Sequence, residues 1–342
     1  MKATGISTQA RTTRAVTVMS ILAIVIALIF IWSMNTGVIR LSPGDMLRTL
    51  FGGGTDKQHL ILFEFRLPRI VISILVGAGL AVSGTILQGV SRNALADPGI
   101  LGINAGAGLA VILTVSFYKN NLAGPLFLMP IIAMAGAGLA AILIYSMSYV
   151  RGEGISSSRL ILVGIGVSAG IAALMVVLSI RLDPNDFQFV SIWLAGSIWG
   201  TNWKFVLALL PWLIILLPYV MYKANVLNVL NLGENTSLGL GVALERERRW
   251  LLAAAVALAG ACVAVGGGIG FVGLIGPHLA RRLVGPKHQY LLPASALTGG
   301  LILILADTLA RWVFQPTEIP TGLVAAVIGA PYFLYLLARA RN

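Results

Sequence analysis

The sequence predicts an all-α integral membrane protein with ten transmembrane helices, both termini cytoplasmic, and a short half-helix near 187–200. Three observations carry that prediction. Hydrophobic residues make up 58 % of the chain and charged residues 11 %, against about 25 % charged in an average soluble domain. A soluble fold would have to cover its surface with those apolar side chains. The apolar residues also lie in continuous runs, and a helix needs ~20 such residues to cross the ~30 Å hydrocarbon core. A β-barrel would show alternating segments of ~10 residues instead. Finally, the basic residues that give the net charge of +12 fall in short loops between the runs. That pattern fits membrane topology better than nucleic-acid binding. A soluble enzyme, a nucleic-acid-binding domain and a disordered chain are all excluded.

The expected spans are 15–36, 68–90, 99–117, 123–149, 159–180, 203–222, 250–268, 269–284, 292–310 and 320–338. The first follows Lys2, Arg11 and Arg14 as a signal peptide would. Its apolar run is 18 residues long and no small-residue cleavage site follows, so it reads as a retained helix. The stretch 187–200 is too short to cross and reads as a half-helix entering from the surface. Gly266–Gly267–Gly268 divides the continuous 250–284 region. Small-residue pairs at Gly102/Gly106, Gly166/Gly170, Gly196/Gly200 and Gly266/Gly270 suit close helix packing. With cytoplasmic termini, fifteen basic residues lie inside and nine outside. Five of the nine share one outer loop: Arg40, Arg48, Lys57, Arg66 and Arg69. That concentration runs against the positive-inside rule and asks for a function.

The chemistry is that of a passive partner. None of the six lysines follows a glycine, so there is no Walker A phosphate loop. No zinc-protease motif is present, and the three histidines have no metal-ligand spacing. No cofactor is implied. Ion-coupled transporters place carboxylates in mid-membrane. Here the acids lie in loops, except Asp307, which reads as a local partner for Arg311 at the outer end of its helix. A polytopic bundle without its own energy source suggests a subunit driven by another protein. The stretch 224–242 fits such a role. It alternates apolar and small polar residues, is interrupted by Gly233, Gly239 and Gly241, and reads as two short helices at the membrane surface. It is either a docking element for a soluble partner or an interfacial helix that touches lipid.

Six strings, in order, carry a resemblance. They are Phe65-Arg66-Leu67-Pro68-Arg69, Ser91-Arg92-Asn93-Ala94-Leu95-Ala96-Asp97-Pro98-Gly99, Ser156-Ser157-Ser158-Arg159-Leu160, Leu232-Gly233-Glu234 with Leu240-Gly241, Phe271-Val272-Gly273-Leu274-Ile275-Gly276-Pro277-His278, and Glu318-Ile319-Pro320-Thr321-Gly322. With them the chain resembles the permease subunits of ABC importers for ferric siderophores, haem and cobalamin, from about Arg40 to Leu337. It departs from that family at Ala94, at Gly276, and at Thr236 and Ser237, where proline, valine and alanines are usual.

The resemblance implies a single permease domain over 1–342 with a cytoplasmic coupling element at 224–242. It implies residence in the bacterial cytoplasmic membrane and a second permease subunit, identical or not. Two ATPase subunits would dock below and an extracytoplasmic binding protein above. The cargo would be an iron chelate, with a ferric siderophore as the first reading and cobalamin or haem as alternatives. An ion-coupled secondary transporter is the alternative from another class. Arg66, Arg69 and Arg311 are expected to project outward and pair with acids of the binding protein. Snorkelling to the headgroups is the other reading of the first two. Leu232, Gly233, Glu234, Leu240 and Gly241 are expected to contact the ATPase. Ser156, Ser157 and Ser158 are expected to cap a helix or to narrow the inner end of the path as a gate.

Overall fold

Apolar runs without backbone partners in lipid must close their hydrogen bonds within each segment, and the structure is correspondingly helical. A computed structural model describes residues 8–37, 42–117, 128–150, 154–313 and 317–339. Its helices are α1 Thr8–Asn35, α2 Pro43–Leu50, α3 Asp56–His59, α4 Leu67–Ser91, α5 Ile103–Phe117, α6 Leu128–Ser148, α7 Ser157–Ser179, α8 Pro184–Leu194, α9 Trp203–Tyr222, α10 Ala224–Leu230, α11 Glu234–Gly239, α12 Leu244–Gly266, α13 Val272–Val284, α14 His288–Trp312 and α15 Thr321–Arg339. A π-helical stretch, Leu60–Arg66, joins α3 to α4, and a 3-10 turn, Pro98–Leu101, precedes α5. The described strands are two residues each, Tyr149–Val150 against Gly154–Ile155.

Every expected span contains a helix. Seven helical segments among the described residues are long and apolar enough to cross a membrane, and α5 and α15 are shorter apolar helices. The half-helix is α8, which runs 184–194 and stops before the 187–200 stretch ends. Its C-terminal continuation turns on Gly196 and Gly200, both at positive φ. The break at Gly266–Gly268 is present: Gly267 has φ +71°, where an L side chain would be strained.

The largest departure is the stretch 43–66, expected as an outer loop and found as α2, α3 and the π-helical stretch. Ser42 caps α2 by accepting from the Asp45 N–H. Thr55 and Gln58 form a reciprocal capping box on α3. Arg48, Lys57 and Arg66 are therefore helical residues. Arg40 lies outside the described residues.

Helix α4 is the centre of the bundle, buried almost all round and packed by α9, α12, α13 and α14. Its tightest contact is with α14 at Gly77 and Gly299. A Cβ on Gly77 would stand 2.3 Å from the Gly299 carbonyl oxygen, and a Cβ on Gly299 would stand 2.2 Å from that of Gly77. These two helices meet backbone to backbone, and any side chain at either position would force them apart. Gly276, where the resemblance expects valine, would place a Cβ 2.8 Å from that of Ala81. The glycine thus lets α13 lie close on α4.

Candidate functional site

The bundle carries polar chemistry at its two ends, and α14 reaches both. At the end formed by the starts of α4 and α15 and the end of α14, three arginines converge. Arg66, Arg69 and Arg311 retain only 6, 8 and 5 % of their surface. Arg66 donates to the Met34 carbonyl at the end of α1. Arg69 donates from Nε to Asp307 Oδ1 (2.9 Å) and from Nη1 to Glu318 Oε2 (2.7 Å). Arg311 donates from Nε to Asp307 Oδ2 (3.1 Å) and from Nη1 to the Thr36 carbonyl (3.0 Å), and it also reaches Ser33. Thr321 Oγ1 donates to Asp307 Oδ1 (3.1 Å). Asp307 is thus a wholly buried hub that joins α4, α14 and α15.

This geometry corrects the outward-projecting picture of the arginines. They do converge, but on acceptors within the chain. A guanidinium buried this far needs its charge compensated and its N–H groups accepted, and Asp307, Glu318 and the α1 carbonyls do both. The three arginines line an open cavity of about 910 Å³ together with Glu64, Glu318 and Trp199. An incoming group would meet them at the wall of a recess. Asp307 does pair with Arg311 four residues on, as expected, yet its longer-range bond to Arg69 is the shorter of the two.

The opposite end holds α10 and α11. Ala224, Leu227 and Leu230 turn inward, while Leu232, Leu238 and Leu240 stand 62, 58 and 61 % exposed. Gly233 makes the turn at φ +109° and Gly241 ends the element at φ +75°. Glu234 bridges two helices, accepting from Arg248 of α12 (2.5 Å) and Arg92 at the end of α4 (3.3 Å). The Arg248 hydrogen bond holds the Glu234 carboxyl below the usual carboxylate range. Ser237, at a usual alanine position, donates inward to the Gly233 carbonyl (2.7 Å) and stiffens the turn.

A second joint was not foreseen from the sequence. Asn228 Oδ1 accepts from the His288 backbone N–H (2.9 Å) and lies 2.9 Å from His288 Nδ1. Asn228 Nδ2 donates to Gln289 Oε1 (2.8 Å), and Gln289 donates back to Asn225. These bonds stitch α10 to the first turn of α14. The Asn-x-x-Asn spacing, one helical turn apart, is the signal that could have marked it.

Of the serines, Ser156 sits at the N-cap of α7 with extended backbone, but its hydroxyl makes no capping bond. Ser156 and Ser158 are exposed, and the Ser157 side chain lies outside the described residues. Among the described residues no group of three histidine, cysteine or acidic side chains could hold a metal ion.

Comparison with known proteins decides what this bundle is. The model of the FecCD transport family matches residues 21–339. The chain belongs to that family. It is 52 % identical over 334 residues to the iron(3+)-hydroxamate import system permease protein FhuG of Bacillus subtilis, covering 96 % of this chain and 99 % of the relative. It is 38 % identical to the hemin transport system permease protein HmuU of Yersinia pestis, covering 94 % and 95 %. A solved metal-chelate type ABC transporter in an inward-facing conformation superposes with a TM-score of 0.82 at 30 % identity, covering 94 % of this chain and 99 % of that one. The permease is a transport component of an ABC importer, not an enzyme, and crosses the bacterial cytoplasmic membrane several times. It works with ATPase subunits and a second permease subunit.

Proposed function

We propose that this permease carries a ferric siderophore, of the hydroxamate class, as an intact complex. The observation that carries the reading is the 52 % identity, over nearly both whole chains, to an iron(3+)-hydroxamate permease. Haem and cobalamin remain the competing cargoes, and the hemin relative at 38 % supports the first of them. Ion coupling is disfavoured by Asp307, whose charge is committed to Arg69 and Arg311. Uptake of radiolabelled ferric hydroxamates against hemin, in a strain lacking the native permease, tests the cargo. Uptake that survives ATP depletion but not a protonophore would overturn the energy source.

In this reading the seven long helices are completed to ten spans by α5, α13 and α15, with both termini cytoplasmic. Leu232, Gly233, Glu234, Leu240 and Gly241 meet the ATPase, and Ser156–Ser158 narrow the inner exit. The arginine recess receives acidic side chains of an extracytoplasmic binding protein. Glu318 is the partner that such an acid would replace, because it is the partly exposed member of the cluster, with 30 % of its side chain accessible. Glu318→Gln should then free Arg69 and tighten docking. Weakened or unchanged binding by the purified binding protein to permease in nanodiscs would count against the recess as its seat.

A further inference from the structure

Along the face made by α6, α9 and α12, two adjoining depressions share Met134 and Trp212. The larger, about 460 Å³, is apolar along its length, with Leu101, Gly138, Ala141 and Ala253 among its walls. One end is polar, where Tyr145 and Arg249 stand.

The depression has a specific origin in the sequence. Gly136 is a packing glycine: a Cβ there would stand 2.4 Å from the Gly106 carbonyl oxygen. Gly138, two residues on, would meet no atom within 4 Å. Helix packing does not require its lack of a side chain, which simply leaves room. The polar end is equally unspent. The Tyr145 hydroxyl is buried and has no hydrogen-bond partner among the described residues. Arg249 commits its Nε to the Glu245 carbonyl (3.3 Å), while the Glu245 carboxylate lies 3.8 Å from Arg248. Among the described residues, the positive charge of Arg249 therefore has no carboxylate of its own at the mouth.

From Arg249 to Ala257, α12 climbs roughly 12 Å at 1.5 Å per residue. That is close to half of the ~30 Å hydrocarbon core. The trough is one leaflet deep, and its cationic end lies on the side of α11, where Arg248 holds Glu234. We propose that it is a binding site for one acyl chain of an anionic phospholipid, whose phosphate meets Arg249 and the Tyr145 hydroxyl. A helix of a second permease laid on this face would bury Arg249 unpaired, at a large desolvation cost. A phosphate compensates the guanidinium and accepts from the tyrosine.

The test uses the permease purified with its ATPase and second permease subunit, stripped of lipid in detergent. Native mass spectrometry and thermal melting would be followed on adding palmitoyl-oleoyl phosphatidylglycerol, phosphatidylcholine with the same chains, or inorganic phosphate. Wild type should hold phosphatidylglycerol about fivefold more tightly than phosphatidylcholine, the effect of one arginine near an anionic surface. Inorganic phosphate should do nothing. Arg249→Gln and Tyr145→Phe should erode the headgroup preference while leaving chain binding. Gly138→Leu should abolish retention of either lipid without lowering the melting temperature of the stripped protein, since its new side chain enters open space. Retention by Gly138→Leu equal to wild type would overturn the site. So would equal binding of the two lipids by wild type, or release of the second permease subunit by Gly138→Leu.

Discussion

Replacing Asp307 with asparagine removes the one wholly buried charge in the arginine cluster while keeping its shape. Breaking a buried pair from one side costs about 3–5 kcal/mol, because the partner charge is left behind. Two features move the expectation to the low end. Arg69 keeps Glu318 at 2.7 Å, and Arg311 keeps the Ser33 and Thr36 acceptors. A loss of about 3 kcal/mol is then expected. At roughly 2 °C per kcal/mol, the low end of the range for large chains, the melting temperature should fall by about 6 °C. Thermal melting of the purified permease, read by tryptophan fluorescence, measures this. The double variant Asp307→Asn/Arg311→Leu should cost less than the two single changes added together, by about 0.5 kcal/mol or more, because the pair shares one network. An Asp307→Asn protein melting within 1 °C of wild type, or strict additivity, would refute the hub. The same geometry warns against charge reversal as a docking test. Arg69→Glu would set a third carboxylate beside Asp307 and Glu318 and damage the fold before any partner is met.

At the opposite end, Asn228→Ala removes the acceptor for both His288 contacts and should reduce substrate-stimulated ATP hydrolysis severalfold in vesicles, with basal hydrolysis and membrane insertion retained. Normal stimulation would dismiss the joint. Burial raises the Asp97 carboxyl to about 6, against the opposing Gly99 N–H hydrogen bond. The folded chain therefore holds this proton between pH ~4 and ~6, where an unfolded aspartate has lost it. The associated stability is complete below ~4 and is lost as pH rises through 6. Asp97→Asn should accordingly raise the melting temperature at pH 7.5, with the gain shrinking as pH falls through 6 and vanishing only below about pH 4; a gain independent of pH would contradict the burial account.

Hydropathy made the spans legible because lipid imposes length and composition on each helix separately. It also exposed the break at Gly266–Gly268 and the two short helices within 224–242, where glycines interrupt an otherwise apolar pattern. Helices α2 and α3 were hidden because they are polar, amphipathic surface elements, and hydropathy is blind to those. Thr55 and Gln58 at capping-box spacing were the local sign that could have revealed α3. Convergence of Arg66, Arg69 and Arg311 could be expected from the resemblance, but their direction could not. Arg69 and Asp307 are 238 positions apart, and a single sequence holds no record of which distant carboxylate an arginine faces. The His288 joint was hidden for the same reason: Asn228 and His288 are 60 positions apart.

Helix α14 connects the two ends. His288 is its first residue and Asp307 lies 19 residues on, roughly 28 Å at 1.5 Å per residue. Between them Gly299 fastens α14 to Gly77 of α4 at backbone contact. At its start, α4 returns to the same arginine cluster through Arg69. At its other end, Gly89 lies against His288 and Leu227, so that a Cβ there would stand 3.1 Å from each. The two helices are therefore pinned to each other at the arginine cluster, at the middle and beside α10. A pair held this way resists bending, because close-packed interiors shift as units rather than deform continuously. A push on α10 that leaves the Asn228 bonds intact must move α4 and α14 together. That displacement arrives at Asp307, where Arg69, Arg311 and Thr321 share two carboxylate oxygens. Loss of Asn228 severs the relay at its entrance, whereas loss of Asp307 loosens its far anchor, so the two changes should differ in kind. The first should uncouple a stable protein, and the second should destabilise one in which α10 is still attached.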